Sequence, residues 1–375
     1  MLRFNDFDDE WSTYKLSELS EQVKRKKENI TDKDNILTIS ANKGFISQKE
    51  RWDNVIAGKS LKKYTYLKKD EFSYNRGNSK SFKYGCIYRL NYENALVPNV
   101  YHSFRITNGD INFFEQLFQS KQLDKQLIKI ITSTARMDGL LNISANNFFN
   151  IDVNIPNNLK EQKLIGDFLK LIDIKIELLE NKYENYLNFK KYIMQQIFTQ
   201  KLRFDFVEVK LKDISKINKG EQLNKDVMIE DGKYYVLNGG KDPSGYTNEW
   251  NVSENTITIS EGGNSCGYVN FNTEKFWSGG HCYYLSNLDE NVDDYYLYNY
   301  LKFKEKFIMH LRVGSGLPNI QKRDIENIKI QIISKNNQNK ISNLFLFVDK
   351  KINSIQIQKE NFENFKKGLL QQMFV

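Results

Sequence analysis

Residues 165–198 lie over residues 341–374 at a constant offset of 176 without a gap, and 13 of the 34 aligned positions are identical. Asp173 meets Asp349, Lys190 meets Lys366, and Gln195-Gln196 meets Gln371-Gln372. A repeat of this length constrains a fold more than any single motif, because one supersecondary plan must be built twice. The match extends on both sides. Gly139-Leu140-Leu141-Asn142-Ile143 aligns with Gly316-Leu317-Pro318-Asn319-Ile320, and residues 11–19 align with 206–214. The chain is therefore read as globular segment 1–155, helical segment 156–203, globular segment 204–333 and helical segment 334–375. The first helix continues into Lys201-Leu202-Arg203-Phe204, while the chain opens on Met1-Leu2-Arg3-Phe4. That match predicts a closed, pseudo-two-fold arrangement with the two ends side by side, and a circular permutant opened near Lys201 that still folds.

The helical segments carry apolar side chains at alternating steps of four and three, from Ile165 through Leu169, Ile172, Ile176 and Leu179 to Ile197. The second copy repeats the stripe through Ile341, Phe345, Val348, Ile352, Ile355, Phe362, Leu369 and Met373. Sustained 3.5-residue spacing marks coiled-coil packing, since only supercoiled helices keep such a stripe on a partner. The alternative is a helix docked on its own globular segment. Two equal stripes in one duplicated chain favour an antiparallel pair, a spacer ~50 Å long at ~1.5 Å per residue. Lys190 and Lys366 interrupt the seam at equivalent positions; such lysines set register or reach out to solvent.

Both globular segments read as α+β. Short strand-like runs, such as Thr256-Ile257-Thr258-Ile259-Ser260, alternate with Gly- and Asn-rich turns, and helices are predicted over 113–131 and 294–307. Catalytic motifs are missing: there is no phosphate loop, no Gly-x-Gly-x-x-Gly, and four prolines leave no room for Asn/Asp-Pro-Pro-Tyr/Phe. Glu208-Val209-Lys210 has a nuclease-like form but lies in a strand-like run without an upstream carboxylate partner. Three separated cysteines (Cys86, Cys266, Cys282) and three histidines supply neither a disulfide framework nor a metal knuckle. No catalytic residue, cofactor or metal is expected of this chain. The absence of an apolar leader or long apolar run predicts a cytoplasmic protein without membrane contact.

What remains is binding chemistry. The net charge of +8 favours an anionic partner, although residues 1–203 hold 33 Lys and Arg against 25 Asp and Glu, and 204–375 hold 22 against 22. In the first copy the candidate DNA contacts are Lys59, Lys62, Lys63, Arg76, Asn78, Lys80, Lys83 and Arg136, with tyrosines interleaved. In the second they are Lys219, Lys241, Tyr246, Asn264, Arg312 and Lys322. Such side chains neutralise phosphates or hydrogen-bond to base edges, and each is also an ordinary solvated surface residue. Asn142 and Asn319 read as turn or capping residues.

In this order the residues resemble the specificity subunits of type I restriction–modification systems, over nearly the whole chain. The resemblance rests on Glu10-Trp11 with Lys15-Leu16-Ser17-Glu18-Leu19, and on Ile155-Pro156 with Glu161-Gln162 where the first helix begins. It rests also on Gln195-Gln196 with Lys201-Leu202-Arg203-Phe204, and on Gly262-Gly263, Phe276-Trp277 and Leu317-Pro318-Asn319-Ile320. The second helix departs by starting from Ile333-Ser334 and Asn337-Gln338. The resemblance implies two target-recognition domains that each read half of a split double-stranded DNA site. It implies a helical spacer docking two modification subunits, which carry S-adenosylmethionine and methylate adenine, and motor-nuclease restriction subunits beside them. The chain itself would be no enzyme. The reading from another class is a coiled-coil adaptor with two protein-binding modules; a fused nuclease or methyltransferase comes third.

Overall fold

A computed structural model describes residues 2–31, 34–52, 58–77, 82–131, 140–314, 316 and 318–374. The chain divides into two compact units, Met1–Leu179 with Gln358–Val375, and Glu180–Ile357.

The first unit holds a four-stranded antiparallel sheet in the order Ser20–Gln22, His102–Ile106, Phe72–Asn75, Cys86–Arg89. The second holds Lys216–Lys219, Cys282–Ser286, Thr256–Ser260, Val269–Asn272 in the same topology. Register makes the correspondence exact at the residue level: Tyr74 lies opposite His102 as Ile259 lies opposite Tyr283. Each unit also closes an outer antiparallel pair, Ser12–Lys15 with Asp152–Ile155 and Phe206–Lys210 with Lys329–Ile333. Glu208 of the nuclease-like tripeptide only pairs with Lys329 across that ladder, at 2.7 Å. Buried aromatics dominate both cores: Phe72, Phe104, Phe113, Phe114 and Phe148 in the first, Tyr296, Tyr300 and Phe345 in the second.

The helices expected over 113–131 and 294–307 are each broken. The first is Ile111–Gln119 followed by Asp124–Ile130, with Lys121 at φ +64° in the left-handed region between them. The second is Asp294–Phe303 followed by Glu305–His310. Their starts are built alike. Asp110 and Asp293 cap them by accepting from the N–H groups of Phe113 (2.9 Å) and Tyr296 (2.8 Å). The backbone N–H of each cap donates at 2.9 Å to a buried glutamine, Gln162 or Gln338. Both glutamines also donate to carbonyls just ahead of the long helix, Pro156 after the strand Asp152–Ile155 and Ile333 at the end of Lys329–Ile333. The second helix start, different in sequence at Ser334 and Asn337, thus keeps the glutamine that ties it to the capped helix.

The long helices span Leu159–Phe198 and Lys335–Met373. In the first unit Ile165, Leu169 and Ile172 pack both on the core of the globular segment and on Leu369, Met373 and Phe374. In the second, Met194, Ile197 and Phe198 join Ile341, Phe345 and the core there. Docking on the globular segment and pairing with the other helix therefore occur together. Within each unit the pairing is antiparallel: Asp173 binds Lys366 in the first, and Lys190 binds Asp349 at 2.6 Å in the second. These lysines do not reach out to solvent. Lys366 is 8% exposed, and burial lowers the pKa of its ammonium while Asp173 opposes the fall. Where the first long helix meets Ile111–Gln119, a Cβ on Gly166 would lie 2.4 Å from the Phe113 nitrogen. The second unit places Ser342 at the same repeat position, and its hydroxyl donates to the Asp293 carboxylate.

The chain ends behave as the repeat predicts. Leu2 N–H donates to the Gln372 carbonyl at 2.8 Å, and Leu202 N–H donates to the Gln196 carbonyl at 2.9 Å. Arg3 forms a paired ion bridge to Glu161, and Phe4 packs on Phe168.

Candidate nucleic-acid interface

In the second unit antiparallel register gathers three strand ends at one place. Lys219 ends one strand, Ser260 hands the next to Glu261, and His281 leads into the third. Glu261 is 4% exposed, yet its carboxylate accepts from Lys219 Nζ at 2.7 Å and Tyr283 OH at 3.0 Å. Its other oxygen lies 3.6 Å from His281 Nδ1. Burial pushes the Glu261 carboxyl up, but the bonds from Lys219 and Tyr283 outweigh that and hold it below the usual range. A buried carboxylate thus fixes a half-exposed lysine at the molecular surface.

Two loops frame this pair. Gly263 at φ +74° turns the chain under exposed Asn264, a conformation that favours glycine. The second loop, following exposed Arg312, is pinned by reciprocal bonds between Val313 and Asn319 at 2.9 and 3.0 Å. Gly263 N–H reaches the Pro318 carbonyl and Ile320 N–H the Glu261 carbonyl, which ties both loops to the same strand end. The Asn319 side chain touches Glu261, so this asparagine shapes the loop as its turn-type sequence indicates. Lys241 places its ammonium 5.5 Å from the Tyr268 ring.

The loops of Asn264 and Arg312 are therefore tied to the strand end whose Glu261 holds Lys219, while Lys241 lies against Tyr268. Tyr246 stands on a separate three-stranded sheet, where it is 42% exposed. Lys322 opens a short helix, with Nζ 3.7 Å from Glu326, in a groove shared with Lys212 and Lys216. Sequence reasoning missed Glu261 and His281. It also missed Trp250, whose exposed ring carries Lys275 Nζ at 4.3 Å.

In the first unit Lys62 and Lys63 are exposed on the turn of helix Gly58–Lys63, and Lys83 is exposed before the strand Cys86–Arg89. Lys59 lies in that same turn, but its side chain falls outside the described residues, as do Asn78, Lys80 and Arg136 altogether. Arg76 takes the place that Glu261 has in the second unit. Its Nε donates to the Val100 carbonyl and its Nη1 to the Ile143 carbonyl, both at 3.1 Å. His102, at the Tyr283 position, holds the same Ile143 carbonyl at 3.1 Å. Arg76 is thus committed to shaping the loop as much as to any ligand. Of the tyrosines read beside these lysines, Tyr74 is fully buried and stacks on Phe148. Arg89 is tied to Asp70, Asn112 and Glu115.

A duplicated α+β chain, with a long helix after each sheet-rich segment and a charged cluster at its strand ends, is the class this geometry defines. Within it, residues 204–362 match the family described as Type I restriction modification DNA specificity domain. A protein named as a type I specificity subunit of Mycoplasma pneumoniae is 37% identical over 124 residues, 33% of each chain. Another, of Mycoplasma genitalium, is 34% identical over 141 residues, 37% of each chain. The matched region is about a third of the length of these curated relatives. The solved S subunit of a type I restriction–modification system from M. genitalium superposes with a TM-score of 0.73 at 18% identity, covering 100% of this chain and 98% of that one, a likeness of fold. The resemblance to type I specificity subunits read from the sequence is borne out. Among the described residues no helix is long and apolar enough to cross a membrane.

Proposed function

We propose that the chain is the DNA-specificity subunit of a type I restriction–modification complex. Segments 1–155 and 204–333 each read one part of a two-part duplex site, and segments 156–203 and 334–375 set the spacing between them. The observation that carries this reading is the Lys219–Glu261 cluster, where a buried acid presents a cation amid exposed Asn264 and Arg312, inside the region that matches the specificity-domain family. A fixed lysine or arginine reads guanine N7 and O6 more selectively than a mobile one, because discrimination depends on geometry while phosphate attraction does not. Chemistry falls to partners: two modification subunits that bring S-adenosylmethionine and methylate adenine, and restriction subunits that cut. This chain supplies the address.

Methylome sequencing of the host with and without the gene tests the proposal. A single two-part adenine-methylated motif is expected to disappear with the gene. An unchanged methylome, together with salt-insensitive binding to duplex DNA, supports the adaptor reading instead, since phosphate contacts release counterions and weaken as salt rises.

A further inference from the structure

The two oxygens of the Glu261 carboxylate are served unequally. Oε1 accepts from both Lys219 Nζ, at 2.7 Å, and Tyr283 OH, at 3.0 Å. Oε2 is shut off from solvent, yet among the described residues no group donates a hydrogen bond to it. A buried anionic oxygen without a donor is destabilising. The Asn319 side chain touches the carboxylate without bonding that oxygen, and His281 holds Nδ1 3.6 Å from it, just outside hydrogen-bond reach. The backbone beneath the imidazole is pinned. His281 N–H donates to Asn238 Oδ1 at 3.2 Å, the His281 carbonyl accepts from Glu261 N–H at 2.9 Å, and Cys282 N–H closes a turn onto the Gly279 carbonyl at 3.1 Å. Gly239, at φ +82°, packs so closely that a Cβ there would lie 2.8 Å from the His281 carbonyl oxygen. The His281 side chain itself is 62% exposed. An exposed ring on a fixed backbone is preorganised for a ligand, because little freedom remains to be lost on binding.

The acid also sets the tautomer. Lone pairs on Nδ1 and Oε2 facing each other across 3.6 Å would repel, so Nδ1 carries the hydrogen. The Lys219 ammonium already matches the charge of the carboxylate, which therefore calls for a hydrogen bond and not for a second cation. In the neutral ring the far nitrogen, Nε2, is then an acceptor. Phosphate oxygens only accept and cannot serve it. The donors that duplex DNA presents in its major groove are the amino groups at adenine N6 and cytosine N4. Resting on the specificity function proposed above, we propose that His281 is a specificity-determining residue of segment 204–333, accepting through Nε2 from the amino group of one adenine or cytosine. Lys219, on the same acid, supplies a donor. One buried carboxylate thereby orients one donor and one acceptor, the two elements from which a base edge is read.

Guanine carries an oxo group where adenine carries its amino group, and thymine does so where cytosine does. Loss of the acceptor should therefore relax one position of one half-site, from adenine to either purine or from cytosine to either pyrimidine. His281→Ala removes the ring. His281→Asn keeps a δ nitrogen that can serve Glu261 but has no atom at the place of Nε2. Methylome sequencing of the host carrying each full-length variant with its companion subunits is the readout. In both variants, sites with the oxo base at that one position are expected to be modified about tenfold more often than in wild type, as befits one lost hydrogen bond. Every other position and the other half should stay as they were. Unaltered base choice in either variant overturns the inference; if alanine alone relaxes it, the ring serves merely to satisfy Glu261. A uniform fall or complete loss of modification, with no change of base choice, overturns it as well. A methylome that does not change when the wild-type gene is deleted would instead sink the specificity function itself.

Discussion

At the residue scale, the strand ending at Ser260 passes its chain to a carboxylate, Glu261, while the matching strand ending at Asn75 passes it to a guanidinium, Arg76. Both side chains hold the loop that precedes the last short helix of the segment, with opposite charge. In the second unit Tyr283 OH donates to both Glu261 and the Ile320 carbonyl. In the first, Arg76 and His102 share the Ile143 carbonyl. Glu261→Gln keeps the shape of the site but removes the charge that holds Lys219, and is expected to lower stability by about 1–3 kcal/mol at pH 7. Because folding depresses the pKa of Glu261, its contribution is complete above the unfolded value, ~4.3, and is lost as pH falls through the folded value. Urea unfolding of both proteins should show a constant gap above pH ~4.5 that narrows only as pH falls below ~4 towards the depressed value, and a gap that closes above pH ~5 or never narrows on acidification would contradict the ion-pair account. Lys219 and Asn264 were legible in the sequence as loop residues of binding type. Glu261 was not, because Ser-Glu-Gly-Gly reads as a solvated turn until strand register places it under Lys219 and Tyr283.

At the scale of elements, the 3.5-residue stripe gave the long helices and most of their buried side chains. Two features escaped it. The run 113–131 has a continuous apolar pattern, yet the helix stops at Gln119 because Lys121 turns the chain back in the left-handed region. The matched Gly-Leu-x-Asn-Ile loops keep register with the short helices that follow, Ala145–Phe149 and Lys322–Glu326, but not with the sheet: Gly77 bridges Leu140 whereas Gly262 bridges Asn319, a slip of two. Sequence alignment sees residue identity and not the length of a loop between two anchors. Gly166 gives the element-scale prediction. Helix propensity favours alanine there by about 1 kcal/mol. The crossing with Ile111–Gln119 leaves no room for a Cβ, so Gly166→Ala is expected to destabilise the protein by ~1–3 kcal/mol. A thermal melt at or above the wild-type midpoint would contradict that crossing.

For the molecule as a whole, the repeat governed everything that could be inferred. It foresaw Leu2 on the end of the second helix in the manner of Leu202 on the first, and the two backbone bonds agree within 0.1 Å. Net charge was a weaker guide. The second segment is balanced, 22 basic against 22 acidic residues over 204–375, yet at one strand end a buried acid fixes Lys219, and the loop after exposed Arg312 is tied to the same end. Local arrangement, not the sum of charges, makes that surface fit for an anionic partner. The central claim is that two readers act independently at a fixed spacing. Its most direct test exchanges residues 204–333 for the corresponding segment of another type I specificity subunit and maps adenine methylation in the host. One half of the motif is predicted to change, while the other half and the gap stay as they were. A motif altered in both halves would contradict the account.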